Sequence, residues 1–380
     1  MLEELIGPKR PVTWSLQFWP VFVASFLCAL AATWLCKKLA SRLGIVDRPD
    51  AKVKTHREPV AYLGGVGMFA GLVVGVLAGV YLMQGTEHFA CVLRWLLGIL
   101  AGGAIACFIG LVDDIVELKP RQKFIGQIVA AGALIVVGIR PVLHHFTDTL
   151  GWQMPWSIEY ILGVPVVIFF VLGATNSLNL IDGLDGLCAG ITLIITFAYF
   201  LLAVHLSTWG FSAVGDPVRI IVCLALVGGA AGFLPFNRYP AKIFMGDAGS
   251  MLLGFNVAAL MILFAESIPR WWMASIVIFG LPILDTATAL VRRWLNKKPL
   301  FVSDRGHLYD QFMDRGHSQE RTVNIFYNLA RVYALIGLVM SQIRTRYALI
   351  VYILVVMVSG LMVWRKGYLK MEGIRGTIKQ

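Results

Sequence analysis

Apolar residues run along this chain in stretches of about 20, the length that crosses a bilayer, each closed by charged or turn-forming residues. They lie near 16–36, 61–83, 93–112, 124–139, 160–178, 187–206, 219–236, 248–266, 271–291, 324–341 and 346–364. The pattern predicts an all-α fold, a polytopic membrane protein of about eleven transmembrane helices, with residues 1–380 forming a single transmembrane domain. The first stretch is too long for the core of a secretory signal and is expected to be a retained span.

Lys and Arg fall unevenly between the alternate connections. Of the 33, 24 lie in 37–60, 113–123, 179–186, 237–247, 292–323 and the tail after 364; eight lie in the other set, and Arg331 is inside a stretch. Cytoplasmic loops carry such an excess, which predicts the N-terminus outside and the C-terminus in the cytoplasm; the location expected is the cell (inner) membrane.

Composition agrees. Hydrophobic residues make up 58% of the 380 and charged residues 14%, against roughly 45–50% and about 25% in a soluble domain. Disorder, collagen and a secreted disulfide scaffold are excluded, and the spans leave no room for a large soluble domain. The net charge of +11 is distributed between apolar runs rather than gathered on a soluble basic face, which argues against a nucleic-acid partner. Six cysteines show no CxxC or CxxH spacing and are expected to be buried packing residues. Gly67, Gly71, Gly75 and Gly79 recur every four positions, a ladder that lets another helix approach closely.

Eleven of the thirteen aspartates fall in or near the basic set of connections. Carboxylates at a membrane edge are costly and point to function. Asp113 and Asp114 leave the third stretch in GLVDDIVELKPRQK, ahead of Lys123; two adjacent carboxylates suit a site that manages a divalent cation or a proton. Asn176, Asn179, Asp182, Gly183, Asp185 and Gly186 crowd the NSLNLIDGLDG turn, too polar for a plain turn between apolar helices. Asp247, in FNRYPAKIFMGDAGS, reads as a helix cap or a hard-cation ligand. Oxygen ligands with few histidines favour Mg²⁺ or Mn²⁺ over zinc. The loop 292–323 carries Arg292, Arg293, Arg305, His307 and more charge besides. Carboxylates, a hard cation and Lys/Arg donors on one face fit a phosphoanhydride substrate, and therefore nucleotide chemistry on a lipid-borne acceptor.

NSLNLIDGLDGL, FMGDAGS, VDD followed by Lys123, and DRPD…KTHREPVAYLGG together resemble the polyprenyl-phosphate N-acetylhexosamine-1-phosphate transferases, the glycosyltransferase 4 family, over about residues 45–320. The resemblance implies attack of a polyprenyl phosphate, such as undecaprenyl phosphate, on the β-phosphorus of a UDP-sugar such as UDP-GlcNAc, with release of UMP. It implies that Asp113, with Asp114 beside it, is the base or acceptor-positioning carboxylate, and that Asp182 lies near the reaction centre. Asp247 and Asn179 would hold Mg²⁺. Asp185 and Phe244 would recognise uracil; Lys123, Arg305 and His307 would hold the diphosphate, and Asn176 would contact substrate. The partners implied are the two substrates and the lipid bilayer, with a homodimer left open.

One departure bears on the sugar. The amino-sugar members carry His-x-His-His where this chain reads His307-Leu308-Tyr309-Asp310, so Tyr309 and Asp310 are expected to alter sugar choice. The phospho-MurNAc-pentapeptide translocases carry three consecutive histidines, absent here, and remain the alternative within the family. A multispan transporter of an anionic solute is the alternative from another class. Transporters set polar sites near the midplane on broken helices, whereas these motifs gather at one surface. Only Asp285 in GLPILDTATAL intrudes, and it reads as a counter-charge to Arg292 or Arg293.

Overall fold

The structure, a computed structural model, describes residues 8–47, 59–144, 154–266, 268–299 and 306–370. A 3₁₀ segment, Val12–Phe18, leads into α1 (Trp19–Leu43), followed by α2 (Gly64–Met83), α3 (Phe89–Val116), α4 (Pro120–Val137) and α5 (Trp156–Ile181). Next come α6 (Leu187–Ser207), α7 (Gly215–Asn237), α8 (Gly246–Phe264), α9 (Pro269–Ile278), α10 (Gly280–Leu295), α11 (Leu308–Asp314), α12 (Gln319–Gln342) and α13 (Thr345–Arg365). Among the described residues the only strands are β1 (Val46–Asp47) and β2 (Val60–Ala61), paired antiparallel with Val46 opposite Ala61.

Every apolar stretch coincides with a helix or a helix pair. Among the described residues nine helices are long and apolar enough to cross a membrane, and α9 with α10, bent by 68°, make a tenth if the pair is one span. The remaining stretch, 124–139, falls on α4, whose first turn is spent on Arg121, Gln122 and Lys123, so by length and composition it falls short of a span, and nine or ten of the about eleven expected remain among the described residues. The bend has a cause in Pro282, which has no N–H to return to the Ile278 carbonyl, and a helix opens at such a position.

Two helices form the centre. The apolar windows of α7 and α8 are 89% and 94% buried, whereas that of α13 is 11% buried, so α13 lies at the periphery. The glycine ladder of α2 works as its spacing predicts: Gly67 lies against Thr33, Gly71 against Ala29 and Gly75 against Ser25 and Ala225, which brings α1, α2 and α7 together. Ser25 Oγ donates to the Ala225 carbonyl at 2.6 Å, an interhelical bond of the kind worth about 0.6 kcal/mol in a membrane. The cysteines do not all behave as expected. Cys107, Cys188 and Cys223 are buried, Cys28 and Cys36 are half-buried, and Cys91 in the first turn of α3 is exposed.

The two ends of the bundle are polar in different ways. At one end Arg219 of α7, fully buried, donates to Asp216 Oδ1 (2.7 Å), Glu266 Oε2 (3.2 Å) and the Leu263 carbonyl (2.6 Å). This closed ion cluster ties α7 to the end of α8. At the other end the α3–α4, α5–α6 and α7–α8 connections meet. There Ala61 forms a parallel bridge to Ile243, and the N–H groups of Gly64 and Gly65 donate to the carbonyls of Phe244 and Met245, both at 3.0 Å, so the start of α2 is pinned to the FMGD segment.

Candidate active site

The polarity of three separate connections becomes one site through the N-terminus of α8. A helix start presents backbone N–H groups without intrahelical partners, and Asp114, from the last turn of α3, occupies them. Its Oδ1 accepts from Asp247 N at 2.8 Å and its Oδ2 from Ala248 N at 3.1 Å. Gly246 makes this possible: its φ is +67°, and a Cβ there would run into the Asp114 carboxylate. The helix is therefore capped from another helix, and Asp247 is not its cap. That leaves the Asp247 carboxylate to face sideways, where Oδ2 accepts from Lys123 Nζ at 2.8 Å and Oδ1 from Asn179 Nδ2 at 2.8 Å.

Lys123 also forms an ion pair with Asp113, so its ammonium bridges carboxylates from α3 and α8. Asp113 is held in place as well, since its Oδ1 accepts from Leu118 N at 2.8 Å. Asn179 donates a second time, to Ser250 Oγ at 3.1 Å. Asp182 stands at the end of α5, and burial with the neighbouring carboxylates of Asp247, Asp114 and Asp185 holds its carboxyl well above the usual carboxylate range.

The other residues singled out from sequence are placed less directly. Asp185 Oδ2 accepts from Ala241 N at 2.9 Å, which ties the DGLDG turn to the α7–α8 connection. Phe244 is half-buried beside the site, its ring edge-on to Tyr62 at 5.9 Å. Asn176 lies one turn deeper, donating to Gln127 Oε1 (2.9 Å), which ties α5 to α4, and to the Leu172 carbonyl of its own helix (2.7 Å). Arg305 lies outside the described residues.

His307 is brought in, but through an unexpected partner. Its Nδ1 meets Asp285 Oδ2 at 2.8 Å, so Asp285 serves the last connection rather than acting as the counter-charge to Arg292 or Arg293 that its position suggested. Although α9–α10 is a broken helix, its one intruding carboxylate is thus engaged by the surface loop. Tyr309 is buried: its ring stacks parallel on His307 at 5.7 Å, its hydroxyl donates to the Leu180 carbonyl at 3.3 Å, and it covers Gly183.

Sequence reasoning passed over Tyr62 and Ser250. Tyr62 lies within electrostatic reach of Asp47, Asp114, Asp182 and Asp247; burial first, and then these carboxylates, push its hydroxyl pKa upward. Its signal was the YLGG run beside the first loop, whose glycines pin it to Phe244 only in three dimensions.

The arrangement suits an anionic ligand and a hard cation. Among the described residues no three His, Cys, Asp or Glu side chains converge as a complete metal cage. The Lys123 ammonium, however, already sits as a cation between Asp113 and Asp247, and Mg²⁺ is ordinarily held by one or two carboxylates with water and substrate phosphates supplying the rest. The oxygen donors therefore fit such an ion.

Relatives agree with this picture. Residues 96–265 match the model of glycosyl transferase family 4. The chain is 32% identical over 347 residues to a probable undecaprenyl-phosphate N-acetylglucosaminyl 1-phosphate transferase of Bacillus subtilis, covering 88% of both chains. It is 33% identical over 311 residues to a decaprenyl-phosphate N-acetylglucosaminephosphotransferase of Mycobacterium tuberculosis, covering 78% of this chain and 76% of the other. A phospho-N-acetylmuramoyl-pentapeptide-transferase of Bacillus thuringiensis is 30% identical over 242 residues, covering 60% and 69%. With a helical bundle that gathers carboxylates and a lysine at one end, and with a relative 32% identical over 88% of its length, the chain belongs to glycosyl transferase family 4.

Proposed function

We propose that this phosphosugar transferase moves an N-acetylhexosamine 1-phosphate, GlcNAc-1-phosphate, from a UDP-sugar to a polyprenyl phosphate, undecaprenyl phosphate, and releases UMP. The site faces the cytoplasm from the inner membrane, and the product feeds cell-envelope polysaccharide synthesis. The observation that carries the reading is the Asp113–Lys123–Asp247 bridge at the bundle end, with lipid-facing helices around it.

An oxygen of the acceptor phosphate attacks the β-phosphorus, the bond from that phosphorus to the oxygen shared with the α-phosphate breaks, and UMP leaves with the electron pair. Two anions must meet, so the main task is neutralising and aligning charge. Lys123 supplies a positive charge at the diphosphate. Asp113 orients the acceptor phosphate, and Asp182 stands at the reacting centre. An acceptor phosphate is already largely ionised near neutral pH, so Asp113 acts by position more than by proton removal. Asp247, with Asn179, would hold Mg²⁺ or Mn²⁺, which supplies charge neutralisation to the departing UMP. Phe244 stacks on uracil with Tyr62 behind it, and Asp185 lies at the uracil edge while steadying the same loop. Asn176 acts at one remove, through the α4–α5 contact, and Arg305 joins His307 at the diphosphate.

The test is UMP release by detergent-purified protein given Mg²⁺, undecaprenyl phosphate and a panel of UDP-sugars that includes UDP-GlcNAc, UDP-GalNAc and UDP-MurNAc-pentapeptide. Release from UDP-GlcNAc that needs both lipid phosphate and Mg²⁺ is expected. Silence across the panel, from protein that still binds UMP, overturns the reading, and release from the muramoyl pentapeptide alone moves the chain to the translocase branch.

A further inference from the structure

Asp285 lies on α10, six residues beyond the bend, and is fully buried. A buried carboxylate needs its lone pairs satisfied, and both of its hydrogen-bond partners among the described residues come from the connection that follows α10. Oδ2 meets His307 Nδ1 at 2.8 Å and Oδ1 accepts from Leu308 N at 2.6 Å. The carboxylate is on a fixed element, because Thr286 beside it donates to Ser177 on α5 at 3.0 Å.

The imidazole is thereby constrained at one nitrogen and on one face. Asp285 takes Nδ1, which requires the proton there and leaves Nε2 as the nitrogen for a ligand. Tyr309 stacks flat on the ring, with 8° between the planes. Tyr309 is in turn braced on Leu180 and Gly183 of the turn that carries Asp182, so His307 borders the carboxylate site. A carboxylate on one imidazole nitrogen fixes the ring orientation and decides which nitrogen is left to face a ligand.

We propose that Asp285 is a positioning residue, which holds His307 so that Nε2 meets the diphosphate of the nucleotide sugar. The proposal rests on the transferase reading. Its two carboxylate oxygens divide the work: one starts α11, the other orients the histidine.

That division gives the test. In Asp285→Asn the amide oxygen can still accept from Leu308 N, while the amide nitrogen can no longer accept from a protonated Nδ1. The variant is expected to melt within a few degrees of the parent and to lose between about tenfold and 100-fold in kcat/KM for UDP-GlcNAc. His307→Ala is expected to lose at least as much, and the double variant no more than His307→Ala alone, since residues acting through one contact do not add. If Asp285→Asn fails to fold, Asp285→Glu and Asp285→Gln, which match each other in shape, repeat the contrast, with turnover expected only in the former. An active parent with Asp285→Asn equally active, or single losses that multiply in the double variant, overturns the proposal alone. A parent inactive on every UDP-sugar overturns the transferase reading, and this one with it.

Discussion

Asp114 and Asp247, 133 residues apart, are joined through the backbone: the Asp114 carboxylate accepts the N–H of Asp247 at 2.8 Å. The adjacent aspartates of the VDD run are thereby given different work. Asp114 caps α8, and Asp113 meets Lys123. Capping an incoming helix fixes where its first-turn side chains point, so Asp114 aims Asp247 without touching its carboxylate.

Asp114→Ala is expected to lose about 1 kcal/mol of stability, the usual worth of a cap, together with most UMP release. Asp247→Ala is expected to melt at a higher temperature than Asp114→Ala, close to the parent, and to lose turnover by about 100-fold or more. Equal melting of both variants would remove the distinction between cap and ligand.

Lys123→Met leaves the Asp113 and Asp247 carboxylates without their shared ammonium. Like charges at that separation repel, so nucleotide-sugar KM is expected to rise about tenfold or more. Titrating Mg²⁺ against the initial rate checks the electrostatic account: with the competing ammonium gone from between Asp113 and Asp247, the variant should reach half its maximal rate at a lower Mg²⁺ concentration than the parent. An unchanged Mg²⁺ requirement would show that Lys123 is not the site's resident positive charge.

The Asp182 carboxyl is held well above the usual carboxylate range. A carboxyl whose pKa rises on folding stabilises the folded state while protonated, and that contribution disappears as pH climbs through the raised value. Protein treated with a chelator is expected to melt at lower temperature as pH rises beyond the ordinary carboxylate range. Asp182→Asn, permanently neutral, should flatten this slope while cutting UMP release by about 100-fold.

Tyr309 is buried against Gly183 and hydrogen-bonded to Leu180, so it braces the last connection and has little surface left to read a sugar. Tyr309→His is expected to raise KM for every accepted UDP-sugar alike without changing their order. A reversed preference between UDP-GlcNAc and UDP-GalNAc would restore a direct role for this position.

Arg219 is far from all of this. Removing one partner of a buried ion cluster costs about 3–5 kcal/mol, so Arg219→Leu is expected to lower the melting temperature sharply while folded protein turns over normally. Thermal unfolding and specific activity, measured on one preparation, separate the two effects.

Helices were legible one by one because each must bury or expose about 20 apolar residues, a local requirement written in consecutive positions. The glycine ladder of α2 was legible for the same reason, since a period of four names a face even before its partner, α1, is known. The exception, α4, shows the limit: its polar first turn delivers Lys123 to the site at the cost of its standing as a span.

The residue types of the site were also written locally, in VDD, NSLNLIDGLDG and FMGDAGS. What those motifs could not carry is how they divide the work. Asp247 looked like a cap because a carboxylate at a helix start usually is one, yet the capping carboxylate arrives from α3. Asp285 looked like a partner for arginines seven and eight residues away on its own helix, yet it holds a histidine from the following loop. Periodicity and composition depend on neighbours in the chain, and they determined the class, the spans and the chemical vocabulary. Hydrogen bonds are directional and satisfied by whichever group packing brings within about 3 Å, and that choice belonged to the tertiary structure.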